Sequence, residues 1–344
     1  MEFFKLKNGF KKVIVVGDPH LHDNHKGRHK NYLKVCFWYM SKIMELVEEE
    51  KPDCLIITGD MIGVREKIIK YRVVLLEICK WFQRLNMLLN GNVYVLRGNH
   101  DVGQNLEFDF LHGMGYYKTA SEVKFLDMTN SDGAIEVRFH LVDYGKEKEP
   151  LELCQDEDAS NVTIFHNNMK VQGKTTWYPE CAGFELSSMY NWKGVDMAIG
   201  GHIHQPSPWN VDTQIDGHPI SLFYVGNATR PTYDKGIHNF CWNVVFNYEE
   251  NEGVIMDTKK LELLPESEVF YSDVFIEDLT DDEIAESVRR EDLHAIIKDL
   301  IQYRIADGDP ITMIRSLPNT NPKAVEVAER YINLALNERK IIKR

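Results

Sequence analysis

The stretch Gly98-Asn99-His100-Asp101 places an amide, an imidazole and a carboxylate in a row behind a glycine. These are metal-ligand and proton-transfer groups. They follow Val93-Tyr94-Val95-Leu96-Arg97, whose β-branched and aromatic residues read as a buried strand. In open α/β sheets, sites are built at the C-terminal ends of strands. The chain repeats this arrangement four more times. An apolar run at 13–16 leads into Gly17-Asp18-Pro19-His20, and one at 53–58 into Gly59-Asp60. A third at 162–165 ends at His166, and a fourth at 195–199 opens into Gly200-Gly201-His202-Ile203-His204.

Five strands thus deliver Asp18, His20, Asp60, Asn99, His100, His166, His202 and His204 to their ends. Alternate residues on an extended segment point the same way, so His202 and His204 can face one site. A mixed oxygen and nitrogen donor set suits manganese, iron or zinc better than magnesium or calcium alone. The set is too large for one closed zinc site. Two metals about 3.5–4 Å apart, bridged by one carboxylate, would use all of it. Such a pair polarises a phosphoryl oxygen, activates a water and aligns attack on a phosphoester. A histidine beside the metals can then protonate the leaving oxygen. Other catalytic templates are absent: the sequence has no H-E-x-x-H, no G-x-x-x-x-G-K-[ST] and no G-x-S-x-G.

The elements that must hold these residues alternate along the first hundred positions. Amphipathic spacing predicts a helix over about 29–50 and a second over about 66–90, between the strands at 13–16, 53–58 and 93–97. That order implies parallel strands with right-handed crossovers. A short helix is expected at 105–113 and strands at 135–144, 162–165 and 195–199. The segment 167–190 reads as an irregular, aromatic-rich loop carrying Trp177 and Tyr178. Runs at 222–225, 238–246 and 254–263 read as a second, partly antiparallel sheet. Past an acidic connector, Thr280-Asp281-Asp282-Glu283 is a capping-box pattern, and Asp309-Pro310 and Asn321-Pro322 are further helix starts.

The 344 residues suffice for one large domain with an appendage. We expect one unit over 1–265 and a connector with a mainly helical extension over 266–344. No apolar run is long enough to span a membrane, and the charged N-terminal residues do not read as a signal peptide. Six scattered cysteines without a C-x-x-C pair fit free thiols and a cytoplasmic location. The net charge of −13 is local: between Glu249 and Asp292 there are sixteen acidic and four basic residues. The N-terminal body is therefore close to neutral. It carries basic clusters at Lys26, Arg28 and Lys30 and at Arg65, Lys67, Lys70 and Arg72, which can hold a phosphate backbone or serve as ordinary solvated faces.

In this order, D-x-H, G-D, G-N-H-D, a lone histidine after a strand, and G-H-x-H resemble the calcineurin-like metallophosphoesterases over residues 10–230. The resemblance implies an α/β fold, a four-layer α/β/β/α sandwich with the metals at one edge. It implies one metal on Asp18, His20, Asp60 and His204, and the other on Asp60, Asn99, His166 and His202. His100 would be the proton donor, oriented by Asp101. Gly63 stands where purple acid phosphatases carry a tyrosine. The G-D-x-x-D-R-G and G-N-H-E forms of the protein phosphatases are also missing.

The G-N-H-D form, Tyr224-Val225-Gly226-Asn227 and Asp234-Lys235-Gly236 are similar to the SbcD-type nuclease subunit of SbcCD-like DNA double-strand-break repair complexes. So is the helical C-terminal extension. That resemblance implies a manganese-dependent DNA exonuclease or endonuclease, with iron or zinc as other metals, an SbcC-like coiled-coil ATPase partner, and a homodimer through the first long helices. Two departures stand out: Gly63 replaces a histidine or aspartate, and His22 replaces a glycine. His22 is expected to reach the scissile phosphate; His25 and His29 read as loop histidines. A phosphodiesterase or phosphomonoesterase for a small nucleotide, and a non-catalytic scaffold, are the alternative readings.

Overall fold

The computed structural model describes residues 9–21, 32–63, 72–102, 106–171, 174–175, 183–207, 211–229 and 240–264. The chain runs through β1 (Lys12–Val16), α1 (Tyr32–Glu50), β2 (Cys54–Ile57), α2 (Arg72–Leu88), β3 (Val93–Val95) and α3 (Leu106–Gly113). It continues through β4 (Phe125–Thr129), β5 (Ile135–Val142), β6 (Ser160–His166), β7 (Met169–Val171), β8 (Lys174–Thr175) and β9 (Phe184–Glu185). After two 3₁₀ turns, at Leu186–Ser188 and Tyr190–Trp192, come β10 (Met197–Gly201), β11 (Val211–Ile215), β12 (His218–Tyr224), β13 (Phe240–Glu249) and β14 (Gly253–Glu262). The expected helices past residue 265, His22, His25 and His29, and the basic residues at 26–30 and 65–70 all lie outside the described residues.

Two sheets face each other. The first has the order β14-β13-β1-β2-β3, with β1, β2 and β3 parallel as their helical crossovers require. The second has the order β11-β12-β10-β6-β5-β4; its four central strands are parallel and its two edges antiparallel. The period-two rule sorts the side chains. Ile14, Val16, Leu55, Ile57, Val93 and Val95 face α1 and α2, while Val13, Val15, Cys54, Ile56 and Tyr94 meet Val162, Ile164, Ile199 and Phe223 between the sheets. The opposite face of the second sheet, with Phe165, Ala198, Leu222 and Tyr224, packs on Leu186, Met189 and Trp192.

The chain is therefore the expected α/β sandwich, with one difference in its outermost layer. Among the described residues, that layer is built from the two 3₁₀ turns and a small sheet of order β8-β7-β9, where an α-helix was anticipated. The small sheet lies within the segment read as irregular, because strands of two or three residues leave no alternation to detect. A second correction concerns β13 and β14. Their sequence pattern suggests the second sheet, but β13 pairs antiparallel with β1 and extends the first. Alternation shows that a segment is a strand and not which edge it joins.

Local chemistry fixes the ends of these elements. Asp53 Oδ2 accepts the backbone N–H groups of Lys11 and Lys12 at 2.7 and 2.9 Å, which sets β1 against the start of β2. α2 ends where Asn90 and Gly91 turn left-handed, with Gly91 N–H donating to Asn86 O at 2.9 Å. Trp81 Nε1 donates to Met40 O at 2.9 Å and ties α2 to α1. No helix among the described residues is long and apolar enough to cross a membrane.

Candidate metal centre

All five strands that carry the candidate residues end at the same edge of the sandwich, and the loops beyond them are sewn to one another. His20 N–H donates to Asp60 O and Leu21 N–H to Met61 O, both at 2.9 Å, while Gly63 N–H donates to Leu21 O at 3.1 Å. The loops after β1 and β2 thus run side by side, closed by the Leu21–Ile62 bridge. His100 N–H donates to Asp60 Oδ1 at 2.8 Å, which draws in the loop after β3. From the second sheet, His166 Nδ1 donates to Thr58 O at 2.9 Å and His202 N–H to Asp18 Oδ2 at 2.7 Å.

The Asp60 carboxylate is the hub. Its Oδ2 lies 3.2 Å from His166 Nε2, 3.6 Å from His20 Nε2 and 3.9 Å from His100 Nε2. Asp60 completes two groups whose ligand atoms all lie within 4.8 Å of one another: His20, Asp60 and His100, and Asp60, His166 and His202. Asn99 joins the second group, its Oδ1 accepting from His166 Nε2 at 3.1 Å and from His202 Nδ1 at 2.8 Å. The His204 ring packs edge-on to His20, with centroids 5.2 Å apart. Asp18 lies behind these rings, with Oδ1 3.6 Å from His166 Nδ1. All eight candidates are brought to one place.

The charges there depend on one another. Burial pushes Asp18 up to about 6, against the pull of His166. Burial also raises Asp60, but the His166, His20 and His100 imidazoles outweigh it and hold that carboxyl well below the usual range. His166 is disfavoured as a cation by burial, yet the Asp60 and Asp18 carboxylates lift it to about 10. His202 is lowered to about 3 by burial and by the neighbouring His166. A divalent cation held by these donors would supply the positive charge that the Asp60 and Asp18 carboxylates favour on His166. With Nδ1 committed to a backbone carbonyl, His166 presents Nε2 to the site, the usual second partner of a metal-binding imidazole.

The backbone carries strain at the same points. His20, Asp60 and His202 adopt φ of 46°, 45° and 73°, the left-handed region that non-glycine residues seldom enter. Neighbouring glycines leave the room: a Cβ on Gly98 would stand 2.1 Å from Asp60 Oδ1, and one on Gly201 2.4 Å from Asp18 Oδ1. Gly63 has the same explanation. A Cβ there would meet His20 O at 2.6 Å, so a side chain does not fit this path.

One site residue has partners beyond its sequence reading, and another escaped that reading. Asp101, expected to orient the His100 ring, is buried and spends its carboxylate on backbone. Oδ2 accepts from Met61 N–H and Gly98 N–H at 3.0 Å and Oδ1 from Ile62 N–H at 3.1 Å. It positions the loops after β2 and β3. Thr58 reads in the sequence as the last residue of a strand, but its hydroxyl donates to Asp18 Oδ1 at 2.6 Å while its carbonyl holds His166. Its signal was a polar residue one period beyond Ile56, where an apolar one would continue the inward face.

A family model described as calcineurin-like phosphoesterase matches residues 11–206 of the chain. Among solved structures, the phosphoesterase Yfce from E. coli aligns with 14% sequence identity over 73% of this chain and 99% of that one, with a TM-score of 0.33.

Proposed function

The chain belongs to the calcineurin-like phosphoesterase family, and from that premise we propose that it is a two-metal phosphodiesterase whose substrate is DNA. One observation carries the reading: the Asp60 carboxylate is common to two groups of imidazole ligands at one sheet edge. In this proposal Asp18, His20, Asp60 and His204 hold one cation, and Asp60, Asn99, His166 and His202 hold the other. Bound there, two divalent cations, most suitably manganese for this donor set, supply Lewis acidity toward a phosphoryl oxygen and an activated water.

The chain's own residues do the rest. His100, with its side chain 29% exposed and its Nε2 beside Asp60, gives a proton to the leaving oxygen. Asp101 and Thr58 keep the ligands in place before substrate arrives. Buried walls of apolar strand keep the donors dry on the protein side, which strengthens their hold on charge. The DNA assignment rests on the likeness of Gly98-Asn99-His100-Asp101 and Tyr224-Val225-Gly226-Asn227 to SbcD-type nucleases. An SbcC-like ATPase is the proposed partner, docking on the acidic C-terminal third.

The test is manganese-dependent cleavage of linear duplex and single-stranded DNA, with bis-p-nitrophenyl phosphate alongside. Cleavage of both classes of ester supports the proposal. Hydrolysis of the small ester with DNA left intact would retain the two-metal chemistry and replace DNA with a small nucleotide. No hydrolysis of either would overturn it.

A further inference from the structure

Tyr144 follows β5 and belongs to neither ligand group, yet its ring borders the second of them. The ring centroid is 6.4 Å from that of His166 and 6.3 Å from that of His202, at interplanar angles of 72° and 37°. The residue is half-buried, with part of its surface open to solvent. Its backbone is fixed to the chain leading into Gly98: Tyr144 N–H donates to Arg97 O at 2.8 Å, and Arg97 N–H donates to Asp143 Oδ1 at 2.7 Å. The Arg97 guanidinium engages Asp109 at 2.9 Å and the face of Phe108 at 4.5 Å. A planar, half-buried ring thus borders two of the imidazoles that would hold the second cation.

We propose that Tyr144 is a specificity-determining residue whose ring stacks on the nucleobase next to the scissile phosphate. The site then favours a strand with an unpaired base at the reacting position over a bare sugar-phosphate. The inference rests on the phosphodiesterase reading above. Stacking on an aromatic side chain is tolerant of base identity, because every base has a flat face. A ring half-buried against two imidazoles has less freedom to lose on receiving a base than a fully exposed one.

The experiment compares wild type, Tyr144→Phe and Tyr144→Leu on two short single-stranded oligonucleotides, identical except that one lacks a base at the cleavage position. Binding is read by fluorescence anisotropy, and turnover in manganese is split into KM and kcat. Wild type and Tyr144→Phe are expected to bind the intact strand roughly tenfold to a hundredfold more tightly than the abasic one. Tyr144→Leu is expected to lose most of that preference through KM while binding manganese as wild type does. Equal binding of the two strands by wild type, or binding of neither, overturns the proposal. So does a preference that survives in Tyr144→Leu, or one that Tyr144→Phe loses along with the hydroxyl. Failure of the phosphodiesterase reading shows separately, as wild-type protein that leaves bis-p-nitrophenyl phosphate intact.

Discussion

Thr58→Val removes one hydroxyl from the most enclosed part of the site and keeps the shape of the side chain. The hydroxyl donates to Asp18 Oδ1 over 2.6 Å, and both residues are fully buried. A hydrogen bond to a charged group contributes about 1.5–3 kcal/mol. At about 1.4 kcal/mol per tenfold, the expected loss of cation affinity is about 10- to 150-fold. Removal of an outer partner of a metal ligand commonly costs about 10–100-fold, which falls inside that range. The backbone carbonyl of Thr58 stays in place, so His166 keeps its Nδ1 acceptor and the loss is confined to the Asp18 side. Manganese titration by calorimetry reads the affinity. Thr58→Val should weaken binding by at least tenfold, and Thr58→Ser, which retains the hydroxyl, should restore most of it. A Thr58→Val protein that binds manganese within twofold of wild type would refute the reasoning that Asp18 depends on this donor.

Three further outcomes are expected. His100→Ala should lower kcat by about 10²–10⁴-fold while the manganese stoichiometry is unchanged; loss of one manganese in the variant would make His100 a ligand and not the proton donor. Gly63→Ala should cost about 1–3 kcal/mol in urea unfolding, because a Cβ there meets the His20 carbonyl at 2.6 Å; an unchanged midpoint would show that the Leu21–Ile62 bridge yields freely. Burial pushes Asp143 up to about 6 from its ordinary 3.8, against donation from Arg97 N–H. Between those values the folded chain keeps a proton that the unfolded chain has shed, so this group makes stability fall as pH rises through that window. The stability of wild type relative to Asp143→Asn should therefore drop by roughly 2 kcal/mol between pH 4 and pH 7, and parallel profiles would contradict the shift.

The residues that could be read from the chain alone are those whose chemistry is exposed by contrast. Asp60, His166 and His202 each interrupt or end an apolar run, so a charged or imidazole group at a strand end stands out against β-branched neighbours. Their convergence followed from parallel strands, which all finish at one edge. Thr58 offered no such contrast, since threonine is an ordinary strand residue and only its partner, 40 positions away, makes it matter. Asp101 was legible as part of the site but its backbone donors were not, because sequence adjacency to His100 says nothing about where a buried carboxylate finds them. The left-handed backbone of His20, Asp60 and His202 was also hidden, although the glycines at 59, 98 and 201 hinted at crowding. The place of β13 beside β1 required a pairing across more than 220 residues, which local periodicity does not encode.

In the proposed site Asp60 serves two cations at once. Manganese titration of wild type and Asp60→Asn, followed by calorimetry and by electron paramagnetic resonance, measures this directly. Wild type should take up two manganese ions per chain with the spectrum of a coupled pair, and Asp60→Asn should lose both the coupling and tight binding at the two positions. One ion per chain in wild type, or a coupled pair that survives in Asp60→Asn, would contradict it.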